Sequence, residues 1–469
     1  MVFSSLLFLY FFLPIVFITY FLLRNSTYRN WVIILFSFAF YSWGEPVWII
    51  LLICVSLLSF VFGLLVDRSR GTLQGKALLI IAISANIGIL GFFKYAGFLV
   101  DNMNQLFDLH IYRPNIGLPI GISFFAFESI CYVTDVYRGV LKATKSLTQM
   151  LLYSSFFPHL IAGPIIRFVD IQSQMENRKF TTSGFSEGIT RFMIGLGKKV
   201  IIANQIGESV SILLGGATGP NSILGAWYGV SLFALQIYFD FSGYTDMAIG
   251  LGKMFGFTLK ENFNYPYIAK SATDFWRRWN MSLGGFFRDY VYIPLGGNRR
   301  HLVLNLFIVW FLTGFWHGAN WNFILWGLYF GLLILLEKLF LARLFAAIPV
   351  WISHVYLTFA MLIGWVFFYF TDLYQAVRTL QVLFGFGICP LYTTDIVLYF
   401  RQNIILYIIG VIGSTPLAKW LISHLTERPL WNKNRWEDVM VPVYNFGILT
   451  VSTVLLVGST YNPFLYFRF

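Results

Sequence analysis

Charged residues are scarce in this chain of 469 residues. Asp, Glu, Lys and Arg together make up 12% of it, while 58% of the residues are hydrophobic and 20% are aromatic. Soluble domains carry about 25% charged residues, so this balance excludes an ordinary soluble protein. The mean hydropathy of +0.70 indicates an integral membrane protein.

Cysteine is also scarce. Cys54, Cys131 and Cys389 lie in apolar segments, with no CxxC pair and no histidine at metal-ligand spacing. This pattern argues against a disulfide framework and against a zinc site. The sequence also lacks a phosphate-binding loop, a dinucleotide fingerprint, a serine elbow and a fixed-period repeat. We therefore expect no metal and no tightly bound cofactor.

Long apolar runs dominate the chain. The first, Phe3 to Leu23, has no basic residue before it and no small-residue cleavage site, so it predicts a retained helix rather than a signal peptide. Because a span needs about 20 apolar residues, further candidates lie near 31–43, 46–66, 77–96, 148–166, 191–214, 226–252, 303–317, 321–341, 349–370, 400–422 and 442–460. The pattern predicts an all-α polytopic fold with roughly 11–13 transmembrane or re-entrant helices. With no polar domain or linker between the runs, one membrane domain over residues 1–469 is the simplest organisation.

The basic residues of short loops predict the orientation, because Lys and Arg are retained on the cytoplasmic side. Arg24 and Arg29 lie in the first loop, the second loop has none, and Arg68 and Arg70 lie in the third. This alternation places the N-terminus outside. The net charge of +12 then reflects topology and contact with membrane lipid, and we expect no nucleic-acid partner.

Polar residues concentrate in the middle third, and polar groups at membrane depth are functional candidates by default. The segment 261–300 is too polar to span lipid. Pro266, Pro294 and the pair Gly296–Gly297 divide it into short helices and turns. We interpret it as an amphipathic or re-entrant element, aromatic on one side and basic on the other.

One histidine, His317, lies in the apolar run "FLTGFWHGANWNFILWG". On a continuous helix its face would be shared by Thr313, Gly314, Asn320 and Trp321. Thr313 and Asn320 could fix the imidazole tautomer, and Gly314 would leave room for a substrate or for a neighbouring helix. From position alone, a catalytic role and a packing role stay equally open.

An ordered set of motifs then points to a family. The stretches "YFDFSGYTDMAIG", "ENFNYPY", "DFWRRWNMSL", "FRDYVYIPLGGNR" and "GFWHGANW" resemble the membrane-bound O-acyltransferases, in particular the bacterial alginate O-acetylation type. The opening "MVFSSLLFLYFFLP", "LPIGISFFAFESICYVTDVYRG" and "PHLIAGPIIRF" look similar too. The resemblance is dense from residue 1 to about 340 and continues beyond as a hydrophobic pattern only.

The resemblance implies a helical bundle around a central channel in the bacterial plasma membrane. It implies that His317 is a general base, which takes the proton of an attacking hydroxyl. Acetyl-CoA or another cytoplasmic acyl donor is then a substrate. The acceptor is an exported cell-surface polysaccharide, reached with the help of separate extracytoplasmic acetyltransferase proteins.

Asn280 departs from the family pattern. Most bacterial relatives carry a second histidine where this chain reads "WRRWN". Asparagine is neither an acid nor a base at ordinary pH. The resemblance therefore implies that Asn280 joins His317 in the catalytic site by holding the substrate carbonyl or by orienting a partner through its amide.

Further residues are candidates for substrate binding. Arg277 and Arg278 could dock donor phosphates at the cytoplasmic mouth, or anchor the protein at lipid headgroups. Asp240 and Tyr244 share a helical face, and the structural alternative for Asp240 is pairing with an arginine such as Arg277 or Arg288. The remaining candidates are Trp276, Trp279, Trp316, Thr313 and Asn320, whereas His159 is expected to be structural or channel-lining.

Other functions stay open. D-alanyl or other acyl transfer to a cell-wall polymer is the nearest alternative. A transporter predicts substrate flux without acyl chemistry. A non-catalytic scaffold of a polysaccharide export complex predicts that the protein works without His317.

Overall fold

The computed structural model of the chain describes residues 1–114, 116–216, 219–386, 389–426, 433–459 and 465. These residues form helices joined by turns, and no strand occurs among them. The all-α prediction is thus confirmed. The first eleven α-helices are α1 Leu13–Leu22, α2 Ser26–Gly44, α3 Ile49–Arg68, α4 Leu73–Leu90, α5 Ala96–Phe107, α6 Ile122–Arg138, α7 Leu147–Ser155, α8 Phe157–Leu160, α9 Phe168–Glu176, α10 Thr182–Gly197 and α11 Asn204–Leu214.

The other eleven α-helices include the shortest elements of the polar middle segment. They are α12 Ile223–Met254, α13 Ala272–Arg278, α14 Met281–Phe287, α15 Leu302–His317, α16 Trp321–Leu336, α17 Ala342–Ala347, α18 Val350–Tyr369, α19 Leu373–Leu383, α20 Thr394–Gly413, α21 Leu417–Thr426 and α22 Lys433–Gly458. Short π-helical turns extend several of them, at Phe8–Phe12, Gly91–Tyr95, Lys198–Ala203, Arg288–Tyr292 and Glu337–Leu341.

Seven helical stretches of the described chain are long and apolar enough to cross a membrane. They confirm a multi-pass membrane protein. Two shorter apolar stretches, Phe8–Leu22 and Leu302–His317, accompany them. Residue 460, the last of the predicted run 442–460, lies outside the described residues. The seven stretches are Ile49–Arg68, Leu73–Phe107, Ile223–Met254, Trp321–Ala347, Val350–Tyr369, Thr394–Gly413 and Asp438–Gly458.

The described residues group into two compact units. The first consists of residues 1–192 and 245–260, and the second of residues 193–244 and 261–469. One membrane domain over the whole chain stays a prediction. In the first unit, α6 is buried at every position from Ile122 to Val136, although the sequence analysis did not predict a helix there.

The predicted run 148–166 is not a continuous helix. The backbone leaves the helical conformation at Phe156, and a short helix then begins with Pro158 at its second position. Proline lacks the amide hydrogen that a continuing helix needs. Backbone groups freed at such a break must be satisfied by protein, and here the Ser37 hydroxyl accepts the Phe157 amide hydrogen at 3.0 Å.

In the second unit, α15 and α16 form a tightly packed hairpin. A β-carbon on Gly314 would lie 2.3 Å from the Phe323 carbonyl oxygen, and one on Gly327 would lie 2.3 Å from the Trp310 carbonyl oxygen. Only glycine allows the two backbones to approach this closely. Of the two interpretations of Gly314, the neighbouring helix is therefore the one that the structure supports.

The segment 261–300 consists of short helices and turns, as predicted. Between residues 262 and 287 its aromatic and aliphatic side chains are buried or half-buried, for example Phe275 and Leu283, whereas Lys270 and Arg277 are exposed. This two-sided distribution confirms the amphipathic interpretation of the segment.

Candidate active site

His317 is the last residue of α15, and its side chain is only 6% exposed. Three aromatic rings meet the imidazole edge to face. The ring centroids of Trp316, Trp326 and Phe368 lie 4.7, 4.8 and 5.1 Å from the imidazole centroid. The histidine thus lies in a largely buried aromatic box formed by these three rings.

The chain after His317 is not helical, and the expected continuous helical face is wrong. Gly318 is extended, and Asn320 caps α16 by accepting the Asn322 amide hydrogen at 3.0 Å. Trp321, expected on the same face as the histidine, is 52% exposed. The cause is the turn at residues 318–320, which ends α15 at His317 and starts α16 at Trp321.

Thr313 and Asn320 have partners other than the imidazole. The Thr313 hydroxyl donates to the Val309 carbonyl of the preceding turn at 2.7 Å. The Asn320 side-chain amide donates to the Thr371 carbonyl at 2.6 Å. Their role as tautomer-fixing residues stays a prediction, and the Asn320 bond ties the turn to the chain that follows α18.

Asn322 adds a second tie between this turn and the end of α18. Its side chain is fully buried and donates to the Phe370 carbonyl at 2.7 Å. A buried hydrogen bond to a helix-terminal carbonyl satisfies a group that has no partner within its own helix. The position of His317 is thereby fixed by two asparagines in the next turn of the chain.

The short helix α13 brings two predicted residues to the aromatic box. The Trp276 ring lies 5.3 Å from that of Trp326, and the Trp279 ring lies 5.0 Å from that of Trp365. Trp326 in turn contacts His317. The structure thus brings Trp276 and Trp279 into one aromatic cluster with the histidine.

A tyrosine just before α13 supports this cluster. Burial raises the pKa of the Tyr267 phenol well above its ordinary value. The hydroxyl therefore stays neutral and donates to the Ala234 carbonyl at 2.6 Å. Its ring packs edge-on against Trp279, so α12 and α13 are joined on this side by a hydrogen bond and an aromatic contact.

Asn280 has an unusual backbone conformation. It precedes α14 with φ 44° and ψ 56°, in the left-handed region, and is 5% exposed. Asparagine is among the few residues besides glycine that adopt this region at low cost. Asn262 holds the neighbouring backbone by accepting the amide hydrogens of Met281 and Ser282 at 3.0 and 2.9 Å. The backbone thus gives a structural reason for Asn280, separate from the predicted catalytic role.

The two roles of Asn280 can be separated by substitution. We expect Asn280→Leu to lower the free energy of unfolding by about 1–2 kcal/mol, since leucine has the β-carbon clash of positive φ without the local hydrogen bonds that asparagine can form, and to lose acyl transfer. Asn280→His is expected to keep transfer. Asn280→Gly should fold normally but transfer poorly if the amide holds the substrate carbonyl. Thermal unfolding in detergent and acetate transfer measure the two effects, and full transfer by the glycine variant would leave only the backbone role.

Asp240 pairs with a lysine, and the expected arginine partner is wrong. Its carboxylate lies 2.6 Å from the Lys199 ammonium, with both side chains at most 4% exposed. It also accepts the backbone amide hydrogen of Leu465 at 2.9 Å. Tyr244, one turn further along α12, is buried as well. The sequence could not identify Lys199 because its π-helical turn lies about 40 residues before Asp240.

The two arginines of α13 differ in their surroundings. Arg278 pairs with Asp274 one turn earlier at 2.9 Å, while Arg277 is exposed. Arg288, the other suggested partner of Asp240, pairs with its neighbour Asp289 at 2.8 Å. Docking of donor phosphates by Arg277 and Arg278 stays a prediction.

Two buried carboxylates are not among the residues predicted from the sequence. In the first unit, Glu128 of α6 lies 3.0 Å from His159, and both side chains are at most 2% exposed. In the second, Glu337 is 3% exposed and binds the start of α13. The sequence does contain a pattern that indicates them, because each is a single acidic residue within an apolar run, "FFAFESICY" for Glu128 and "LILLEKLF" for Glu337. Within the described residues, no group of three or more His, Cys, Asp or Glu side chains could hold a metal ion.

Fold and site together define a class: a multi-pass, all-helical membrane protein with a buried histidine at a helix end, enclosed by aromatic rings. Comparison with known proteins places this class in a family. Residues 139–375, which include the histidine and α13, match the model of the membrane-bound O-acyltransferase family. The chain belongs to this family and is an O-acyltransferase.

Similarity to individual proteins extends over the whole chain. It is 37% identical to the probable alginate O-acetylase of Pseudomonas putida, over 100% of both chains. It is 31% identical to the peptidoglycan O-acetyltransferase of Helicobacter pylori, over 100% of this chain and 98% of that one. It is 33% identical to the teichoic acid D-alanyltransferase of Bacillus subtilis, in a match that covers 46% of this chain and 58% of that one. The predicted resemblance to the alginate O-acetylation type is confirmed.

Proposed function

We propose that this protein transfers an acetyl group from a cytoplasmic donor to a hydroxyl group during O-acetylation of a cell-surface polysaccharide. The observation that carries the proposal is similarity over the full chain to two proteins named for O-acetylation of a glycan polymer. The protein acts in the bacterial plasma membrane with its N-terminus outside. Acetyl-CoA, or another acyl donor, is a substrate rather than a bound cofactor.

His317 serves as the general base in this proposal. Its imidazole takes the proton of the attacking hydroxyl, the hydroxyl oxygen bonds to the acyl carbon, and the bond from that carbon to the donor's leaving atom breaks. The proton then passes from the imidazole to the leaving group, so the base is regenerated. The rings of Trp316, Trp326 and Phe368 support the role, because they keep water from hydrolysing the donor.

The α13 region supplies substrate contacts in this proposal. Arg277 is exposed, and a guanidinium at the cytoplasmic mouth can bind donor phosphates. Asn280 holds the acyl carbonyl through its amide. Separate extracytoplasmic acetyltransferase proteins complete the transfer to the polymer, through a channel of the bundle.

D-alanyl transfer to a cell-wall polymer is the second candidate. The similarity to a teichoic acid D-alanyltransferase favours it. That similarity covers less than half of this chain, whereas the O-acetylation proteins match all of it. Acetyl is therefore the preferred acyl group.

The test is the acyl content of purified envelope polysaccharide from cells with and without the gene. We expect ester-linked acetate to disappear in the deletion strain and to return when the protein is supplied from a plasmid. Loss of ester-linked D-alanine with unchanged acetate would replace acetyl by D-alanyl. No change in either ester would refute the proposal.

A further inference from the structure

Glu337 is a carboxylate buried inside a membrane-spanning helical stretch. It lies in the stretch Trp321–Ala347, at the first position of the π-helical turn Glu337–Leu341, and its side chain is 3% exposed. Burying an ionised carboxylate is costly unless hydrogen bonds replace its hydration. The surroundings of Glu337 must therefore supply donors.

The donors come from the first turn of α13, about 65 residues earlier in the chain. One carboxylate oxygen accepts the Ala272 amide hydrogen at 2.6 Å, and the other accepts the Thr273 amide hydrogen at 2.9 Å. The Thr273 hydroxyl adds a bond of 2.6 Å, and the Tyr356 hydroxyl one of 3.3 Å. Both oxygens of the carboxylate are thus engaged.

These bonds complete the cap of α13. The first amide groups of any helix lack partners within the helix. Glu337 satisfies those of Ala272 and Thr273, and the Ser271 hydroxyl accepts the next one, that of Asp274, at 3.1 Å. A negative charge at this end also suits the helix dipole. A helix of only seven residues, α13, is marginal on its own, so its position depends on this anchor.

The helix held in this way carries the residues that meet the aromatic box. Trp276 contacts Trp326, which contacts His317. Trp279 contacts Trp365, and Asn280 follows directly. A shift of α13 would therefore move two tryptophans and Asn280 relative to the histidine.

We infer that Glu337 is a positioning residue for acyl transfer, which acts by fixing the first turn of α13 through paired hydrogen bonds. The inference rests on the proposed function. Glu337 itself does not touch His317; its effect is transmitted through α13. Misplacement of reacting groups by about 1 Å can lower a rate by up to roughly 100-fold, so a loosened α13 slows the reaction while the fold persists.

The experiment compares full-length wild type with Glu337→Gln and Glu337→Met. Glutamine keeps one acceptor oxygen, and methionine keeps the size without any acceptor. Glu208→Gln is the matched control, because Glu208 is exposed on α11 of the same unit. Initial rates of acetate incorporation into polymer are measured at varied acetyl-CoA, per amount of folded protein, in inside-out membrane vesicles that retain the extracytoplasmic partner proteins and the acceptor polymer. Hydrogen exchange is measured on peptides covering residues 268–283.

We expect kcat per folded protein to fall roughly 10- to 100-fold in Glu337→Met and less in Glu337→Gln, with KM for acetyl-CoA within about twofold. Exchange in residues 268–283 should accelerate roughly tenfold or more, and Glu208→Gln should match wild type. Normal kcat, or a raised KM with normal kcat, would overturn the inference. Hydrogen exchange can be measured whether or not the protein transfers an acyl group. Wild-type vesicles that incorporate no acetate would refute the proposed function. Unchanged hydrogen exchange in the Glu337 variants would by itself refute the role of Glu337 in holding α13.

Discussion

Replacing His317 with alanine is expected to lower acetate transfer by roughly 100- to 10,000-fold, the usual contribution of a general base. The imidazole is 6% exposed and contacts three aromatic rings, so we expect little rescue by a base from solvent. The measurement is polymer-bound acetate in cells that carry equal membrane levels of wild type or variant.

Two further variants make this result specific. His317→Gln fills more of the space between the rings but cannot take a proton, so we expect the same loss with better folding. His110→Ala, in an exposed loop of the first unit, is expected to transfer acetate normally. If His317→Gln kept wild-type acetate, the histidine would be a packing residue, and the base would have to be sought elsewhere.

Replacing Lys199 with methionine is expected to lower the free energy of unfolding by about 3–5 kcal/mol. The ammonium lies 2.6 Å from the Asp240 carboxylate, at 4% and 2% exposure. Removal of the lysine leaves a buried carboxylate without its cationic neighbour, although the Leu465 amide still donates to it. Thermal unfolding of purified protein in detergent, with the yield of folded protein, measures the effect.

The same pair offers a rescue and a control. Adding Asp240→Asn to the Lys199→Met variant removes the stranded charge and keeps an acceptor for the Leu465 amide, so most of the lost stability should return. Lys253→Met breaks an ion pair with Glu187 whose side chains are 40% and 58% exposed, and it should cost at most about 1 kcal/mol. If Lys199→Met and Lys253→Met lowered the free energy of unfolding equally, burial of the Lys199–Asp240 pair would not add to its contribution to stability.

Composition and apolar runs predicted the fold class, because both depend on local sequence and on the length that a span requires. The same reasoning failed where the chain breaks locally. The run 148–166 contains Pro158, which ends one helix and starts a short one although its neighbours are apolar. The apolar run around His317 is interrupted by a turn directly after the histidine, and apolar composition does not reveal that turn. Average hydropathy carries no information about such breaks.

The site was predicted in part. Ordered motifs brought together His317, Trp276 and Trp279, and the structure places them in one aromatic cluster. Their catalytic roles stay predictions. The partners of Asp240 and the anchor of α13 could not be predicted, because they join residues tens of positions apart, and one sequence does not specify which buried acid meets which donor.

The division of α12 between the two units has a consequence for biosynthesis. The first unit needs residues 245–260, which the ribosome makes only after residues 193–244. Arg191 pairs with Asp246 at 2.6 Å, and Asp170 with Lys260 at 2.7 Å. The early helices are therefore inserted before their last partners exist. A nascent chain that stalls near residue 192 would lack Asp246 and Lys260, and quality-control proteases would meet its early helices without these two partners.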